Sequence, residues 1–107
     1  MEPRNDVICV ESIGKIMEIF GGKWSFHILG ELHSGTIRFN ELSRKLGIST
    51  KSLSDALKSL EANGVIARNV LPTTPVTVEY SLTEKGRDFE RAFFEMKEWG
   101  KKWLDEK

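Results

Sequence analysis

The sequence predicts a mainly α chain with a small β-hairpin wing, an α+β winged helix-turn-helix that dimerises through its N- and C-terminal helices. Three observations predict it. Residues 36–64, TIRFNELSRKLGISTKSLSDALKSLEANG, read as two short helices joined by a tight turn, the second ending on glycine. Residues 65–83, VIARNVLPTTPVTVEYSLT, read as a hairpin directly behind them. A C-terminal stretch then carries an aromatic stripe at helical spacing.

The N-terminal arm, residues 7–20, is read as a first helix starting at Val10, with Val10, Ile13, Ile16, Met17 and Phe20 as its apolar stripe. It should stop at Gly21-Gly22. The next segment, Trp24, Phe26, Ile28, Leu29 and Leu32, is apolar nearly all round and so belongs at the centre of the core.

The helix-turn-helix is placed at 39–64. Asn40 is the expected N-cap of its first helix, Leu42 and Leu46 recur at i and i+4, and Gly47 can take the left-handed conformation that ends it. Ile48 plugs the turn and Ser49 caps the second helix. Leu53, Ala56, Leu57 and Leu60 then repeat at helical spacing until Asn63-Gly64. The opposite face carries Lys51, Asp55, Lys58 and Ala62, with Ser54 at its flank. Lys51 and Lys58 are seven residues apart, about 10 Å along the axis, so both can stay on one side. Such a face suits the DNA major groove, which offers base edges to short polar groups and phosphates to cations. The competing reading is an ordinary solvated face with Lys51 and Asp55 as an i,i+4 ion pair.

The wing, residues 65–82, begins with the apolar run Val65-Ile66-Ala67. Val76, Val78, Tyr80 and Leu82 alternate with Thr77, Glu79 and Ser81, the period-2 pattern of a half-buried strand. Leu71-Pro72-Thr73-Thr74-Pro75 should protrude as a loop, since proline lacks the ladder donor. Its tip has no cation and only Arg68 stands at its base, so a plain hairpin finishing a small sheet is the alternative. After Thr83, an expected N-cap, a helix over 84–106 aligns Phe89, Phe93, Met96, Gly100 and Trp103, widened by Phe94, Trp99 and Leu104. That area exceeds what the flank of so small a domain needs. Phe89, Phe93, Met96, Trp99 and Trp103 are therefore assigned to a dimer interface, against the alternative that the stripe lies on its own domain.

These residues resemble the HxlR-type transcriptional regulators, small bacterial winged-helix proteins. The resemblance rests on Gly21-Gly22-Lys23-Trp24, Ile37-Arg38-Phe39 with Glu41-Leu42, Ile48-Ser49 with Leu53, Leu57 and Leu60-Glu61, and Pro75, Val78-Glu79-Tyr80 and Leu82-Thr83 with Gly86. It spans roughly residues 13–100. It implies a homodimer on double-stranded operator DNA, with the second helix as the recognition element and Arg38 near phosphate. The DNA-binding set is then Arg38, Ser49, Thr50, Lys51, Ser54, Lys58 and Arg68. A winged-helix module that binds protein without regulating a promoter is the alternative, but it would be expected to show apolar or acidic residues over 50–58.

Several members of the family sense oxidants through a cysteine near Cys9, often followed by proline. Here Val10 follows, and Cys9 lies about two residues further from the Gly-Lys-Trp element than in the common pattern. A thiol at the N-cap of a helix starting at Val10 would feel the positive end of the helix dipole, while Glu11 opposes a thiolate. Cys9 is thus a possible redox sensor, with a small apolar residue of the dimer arm as the favoured reading.

Composition bounds the rest. The 107 residues fit one domain. Sixteen basic and sixteen acidic residues cancel, yet Lys23 to Arg68 holds seven basic against four acidic, 7 − 4 = +3. The longest apolar run, Val7 to Val10, is far below the ~20 residues of a membrane helix, and no signal-peptide pattern appears, so a cytoplasmic location without membrane contact is expected. One cysteine excludes an intramolecular disulfide. His27 and His33 are six apart, off the spacing that puts two ligands on one helical face, and His27 between apolar neighbours reads as a core or interface residue. No catalytic, metal or cofactor pattern is present, and a small-molecule effector cannot be read from the sequence.

Overall fold

A computed structural model describes residues 3–104, with side chains described from Val10 onward. Helices α1 (Pro3–Phe20) and α2 (Ser25–Leu32) are followed by strand β1 (Ile37–Arg38), helices α3 (Phe39–Leu46) and α4 (Thr50–Ala62), the hairpin β2 (Ile66–Leu71) and β3 (Thr77–Leu82), and helices α5 (Glu84–Asp88) and α6 (Glu90–Trp103). The sheet is antiparallel in the order β1-β3-β2. This is a winged helix-turn-helix: α3 and α4 form the helix pair and β2–β3 the wing.

The apolar periodicity of α4 is fully used, with Leu53, Leu57 and Leu60 buried against Ile28, Leu32, Leu42 and Ile66. Because that side of α4 is fixed in the core, its opposite side must face outward. Gly47 closes α3 at φ 64°, a left-handed conformation that costs glycine least. The Ser49 hydroxyl accepts from the Ser52 amide at 3.1 Å and caps α4, while the Ser43 hydroxyl donates to the Ile48 carbonyl and ties down the turn.

Several boundaries differ from the sequence reading. The third strand, β1, has only two residues, Ile37 opposite Tyr80 and Arg38 opposite Glu79, and so had no local pattern. Its pairing holds Arg38 extended, which makes Arg38 rather than Asn40 the N-cap residue of α3. Leu71 belongs to β2, paired with Thr77, so the protruding loop starts at Pro72. Helix α1 does not begin at Val10 but at Pro3, a residue suited to a first helical turn. Cys9 therefore lies inside the helix and not at its N-cap, which removes the dipole argument; its side chain is outside the described residues. The C-terminal segment is two helices separated at Phe89, and not one helix over 84–106. The break accompanies a long-range contact: Phe89 turns back onto the core and stacks on Phe20, ring centroids 4.2 Å apart.

α5 is fastened to the end of α4. The Thr83 hydroxyl donates to the Gly64 carbonyl at 2.6 Å and accepts from the Gly86 amide, Lys85 Nζ donates to the Asn63 carbonyl at 2.8 Å, and the Thr83 amide donates to Val65. This draws Gly86 so near that a Cβ there would stand 2.1 Å from the Val65 carbonyl oxygen. Gly86→Ala is therefore expected to destabilise the fold by about 1–3 kcal/mol, the usual cost of forcing an extra group into a packed site. At about 4–8 °C per kcal/mol for a domain of this size, thermal melting by circular dichroism reads it directly. A melting temperature equal to the wild type would mean that α5 is not held against Val65.

Candidate nucleic-acid interface

The outward side of α4 and the inner face of the wing enclose an open cleft of about 1110 Å³. Four elements build it. Strand β1 contributes Arg38, α3 contributes Arg44, α4 contributes Ser54 and Lys58, and the wing contributes Arg68 together with Thr73 to Val78 and Tyr80. The wing's inner face follows from its register: Ile66, Arg68 and Val70 lie opposite Leu82, Tyr80 and Val78, so the side that is buried at the sheet's base becomes the cleft wall further out.

Charge in this cleft is positive and unneutralised. Arg38, Arg44, Lys58 and Arg68 stand against Glu41 and Glu61, 4 − 2 = +2. Among the described residues none of these six makes an ion pair, whereas Lys45 pairs with Glu31 at 3.7 Å and Lys51 with Asp55 at 3.1 Å. The Lys51–Asp55 pair is exposed at both ends, and i,i+4 pairs of this kind contribute only about 0.2–0.5 kcal/mol, so Lys51 is easily drawn to a stronger acceptor.

The wing tip holds its shape by hydrogen bonds of its own. The Thr73 hydroxyl donates to the Pro75 carbonyl at 2.7 Å and lies 2.8 Å from the Thr77 hydroxyl, and the Thr73 amide donates to Leu71. No cation occurs between Asn69 and Glu79, and Val70 and Val76 are exposed. The wing therefore offers neighbouring molecules shape and apolar surface, with charge only at its base.

Of the residues singled out in the sequence, Arg38, Ser54, Lys58 and Arg68 come together in the cleft. Ser49, Thr50 and Lys51 are exposed at the N-terminal end of α4, beyond the cleft. Arg44 was missed. It is one of two adjacent basic residues in the last turn of α3, and only the wing's position distinguishes it from Lys45.

The aromatic stripe divides in two. Phe89 stacks on Phe20 with Phe26 alongside both, and Phe93 packs on Phe26 beside Gly30, so both turn toward their own chain. Met96, Trp99 and Trp103 stay exposed, with 60% of Trp99 and 64% of Trp103 open to solvent, joined by Phe94 and Leu104 and by Val10, Ile13 and Met17 of α1. His27 is exposed with its ring against Trp24 rather than buried in the core, and His33 pairs with Glu90. Among the described residues no three His, Cys, Asp or Glu side chains converge as metal ligands, and no helix is long and apolar enough to cross a membrane.

Residues 19–107 match the HxlR-like helix-turn-helix family. The chain is 39% identical over 92 residues to YvaP of Bacillus subtilis (strain 168), an uncharacterised HTH-type transcriptional regulator, a match covering 85% of each. Among solved structures it is similar to the reduced form of the redox regulator HypR, with 38% identity and a TM-score of 0.80 over 85% of this chain and 91% of that one. It is also similar to the reduced form of the transcriptional regulator YodB from B. subtilis, with 35% identity and a TM-score of 0.78 over 98% of this chain and 96% of that one.

Proposed function

The chain belongs to the HxlR-like helix-turn-helix family of transcriptional regulators, and on that premise we propose that it binds an inverted-repeat operator as a homodimer. The observation that carries the proposal is the cleft, where four unpaired cations from β1, α3, α4 and the wing converge beside the exposed side of α4. Unpaired cations lining one concave surface fit a phosphate backbone, whose contacts fix register, while the helix beside them reads base edges. Arg38, Arg44, Lys58 and Arg68 take the phosphates; Ser49, Thr50, Lys51 and Ser54 reach the bases from the N-terminal half of α4. The exposed apolar residues of α1 and α6 support the dimer, with Met96, Trp99 and Trp103 at the contact and Phe89 and Phe93 backing them from below. A regulator of this kind works where the chromosome is, so a cytoplasmic location is part of the proposal.

Sequencing of genomic fragments retained by the purified protein tests this reading. An inverted repeat with half-sites about one helical turn apart, or a multiple of it, is the expected result. Retention of no sequence above background would favour the protein-binding alternative.

Cys9 is assigned no more than a modulating role, because it sits inside α1 and not at a helix terminus that would activate it. Operator affinity should be the same for wild type and Cys9→Ser, before and after diamide. Loss of binding in the oxidised wild type alone would establish the thiol as a sensor.

A further inference from the structure

α5 is tied to the body of the domain, and a one-residue break at Phe89, which itself stays in the right-handed helical region at φ −80° and ψ −11°, separates it from α6, which starts at Glu90. Two kinds of contact hold α6 beyond that break. One is a set of rings, Phe89 on Phe20, Phe93 on Phe26 and Phe94 edge-on to His33. The burial that drives such contact is non-directional, and the near-parallel Phe89–Phe20 pair, its ring planes 15° apart, keeps much of it when one ring slides across the other. The other is directional: His33 Nδ1–H donates to Glu90 Oε2 at 2.5 Å. Among the described residues it is the one side-chain hydrogen bond or ion pair joining α6 to the rest of the chain.

Its placement suits an orienting contact. His33 is the C-cap residue of α2 and Glu90 the first residue of α6, so each meets the helix end whose dipole favours it. Trp103 lies thirteen residues beyond Glu90, about 20 Å along the axis at 1.5 Å per residue. A tilt of about 10° at Glu90 would then move Trp103 by about 3.4 Å, close to the rise of one base pair.

We propose that the His33–Glu90 link fixes the angle of α6 to the DNA-reading body, and so sets the half-site spacing that the dimer accepts. The inference rests on the dimeric operator binding proposed above. His33 and Glu90 are positioning residues here: neither lies on α4 or in the cleft, and neither need touch DNA.

The test is a library of inverted repeats that differ only in spacer length, bound by wild type, His33→Ala, Glu90→Ala and His33→Asn. In the last variant an amide nitrogen stands near the position of Nδ1. Wild type and His33→Asn should favour one spacing by about tenfold over its neighbours, a coupling in the ordinary range for linked sites. His33→Ala and Glu90→Ala should accept adjacent spacings within about threefold, with the half-site sequence unchanged. A merely stabilising contact would lower the melting temperature and leave the spacing preference intact. The same sharp preference in both alanine variants, or loss of preference in His33→Asn, would overturn the inference alone. A wild type that binds no inverted repeat at any spacing would overturn the operator reading, and this inference with it.

Discussion

Alanine at both Arg44 and Lys58 is expected to weaken binding to every duplex, operator or not, by roughly a thousandfold at 0.1 M salt. The reason is counterion release: each lost phosphate contact flattens the slope of log K against log salt by about 0.9, and two positions in two subunits make about 3.6. The physical basis lies in the cleft, where both residues are unpaired and face the same open volume from α3 and α4. Lys45→Ala serves as the control. Lys45 is the neighbour of Arg44 in sequence, but it points away from the cleft and is already engaged by Glu31 at 3.7 Å, so its loss should change the slope little. Thr50→Ala should behave differently again, relaxing the preference at one operator position by about 1–3 kcal/mol with the slope intact. Anisotropy titrations of operator and scrambled duplex across a salt series separate these outcomes. An unchanged slope in the double variant would mean that the cleft does not seat the backbone, and the protein-binding alternative would move ahead.

The contrast between Arg44 and Lys45 also shows where sequence reading stops. The leucine period of α4, the left-handed Gly47 and the caps at Ser49 and Thr83 are local facts of chemistry, and all are legible in the chain. Features created by distant contacts are not. β1 exists because Ile37 and Arg38 meet β3 some forty residues later, and no two-residue pattern announces that. The break at Phe89 arises because a ring at the right helical position is taken up by Phe20 instead of continuing the outward stripe. Periodicity placed Phe89 and Trp103 on one face; the turn at Phe89 between α5 and α6 gives them different neighbours. The site was half legible for the same reason. Arg38, Ser54, Lys58 and Arg68 could be named one by one, but the cleft they share depends on the wing folding back toward α4.

The second large effect concerns the uncovered apolar face. Trp103→Asp is expected to raise the dimer dissociation constant by roughly a thousandfold. In a two-fold interface each substitution occurs twice, and truncating a central aromatic anchor costs about 2 kcal/mol or more, so about 4 kcal/mol is lost. The observation behind it is that Trp99, Trp103 and Leu104 each leave 60% or more of their surface in water, next to exposed Met96 and Phe94. Scattered exposed apolar residues are ordinary, but a contiguous run of this kind along one helix marks a contact surface. Because Trp103 contributes nothing to the buried core, the variant should keep the wild-type melting temperature when both are measured as monomers at high dilution. Operator affinity should fall with dimerisation, since one subunit presents one α4 and can hold only one half-site. Sedimentation at tens of micromolar decides the matter: the wild type should run as a dimer and Trp103→Asp as a monomer. A wild type that sediments as a monomer would leave the aromatic face to another partner, and an operator of two half-sites would lose its physical basis.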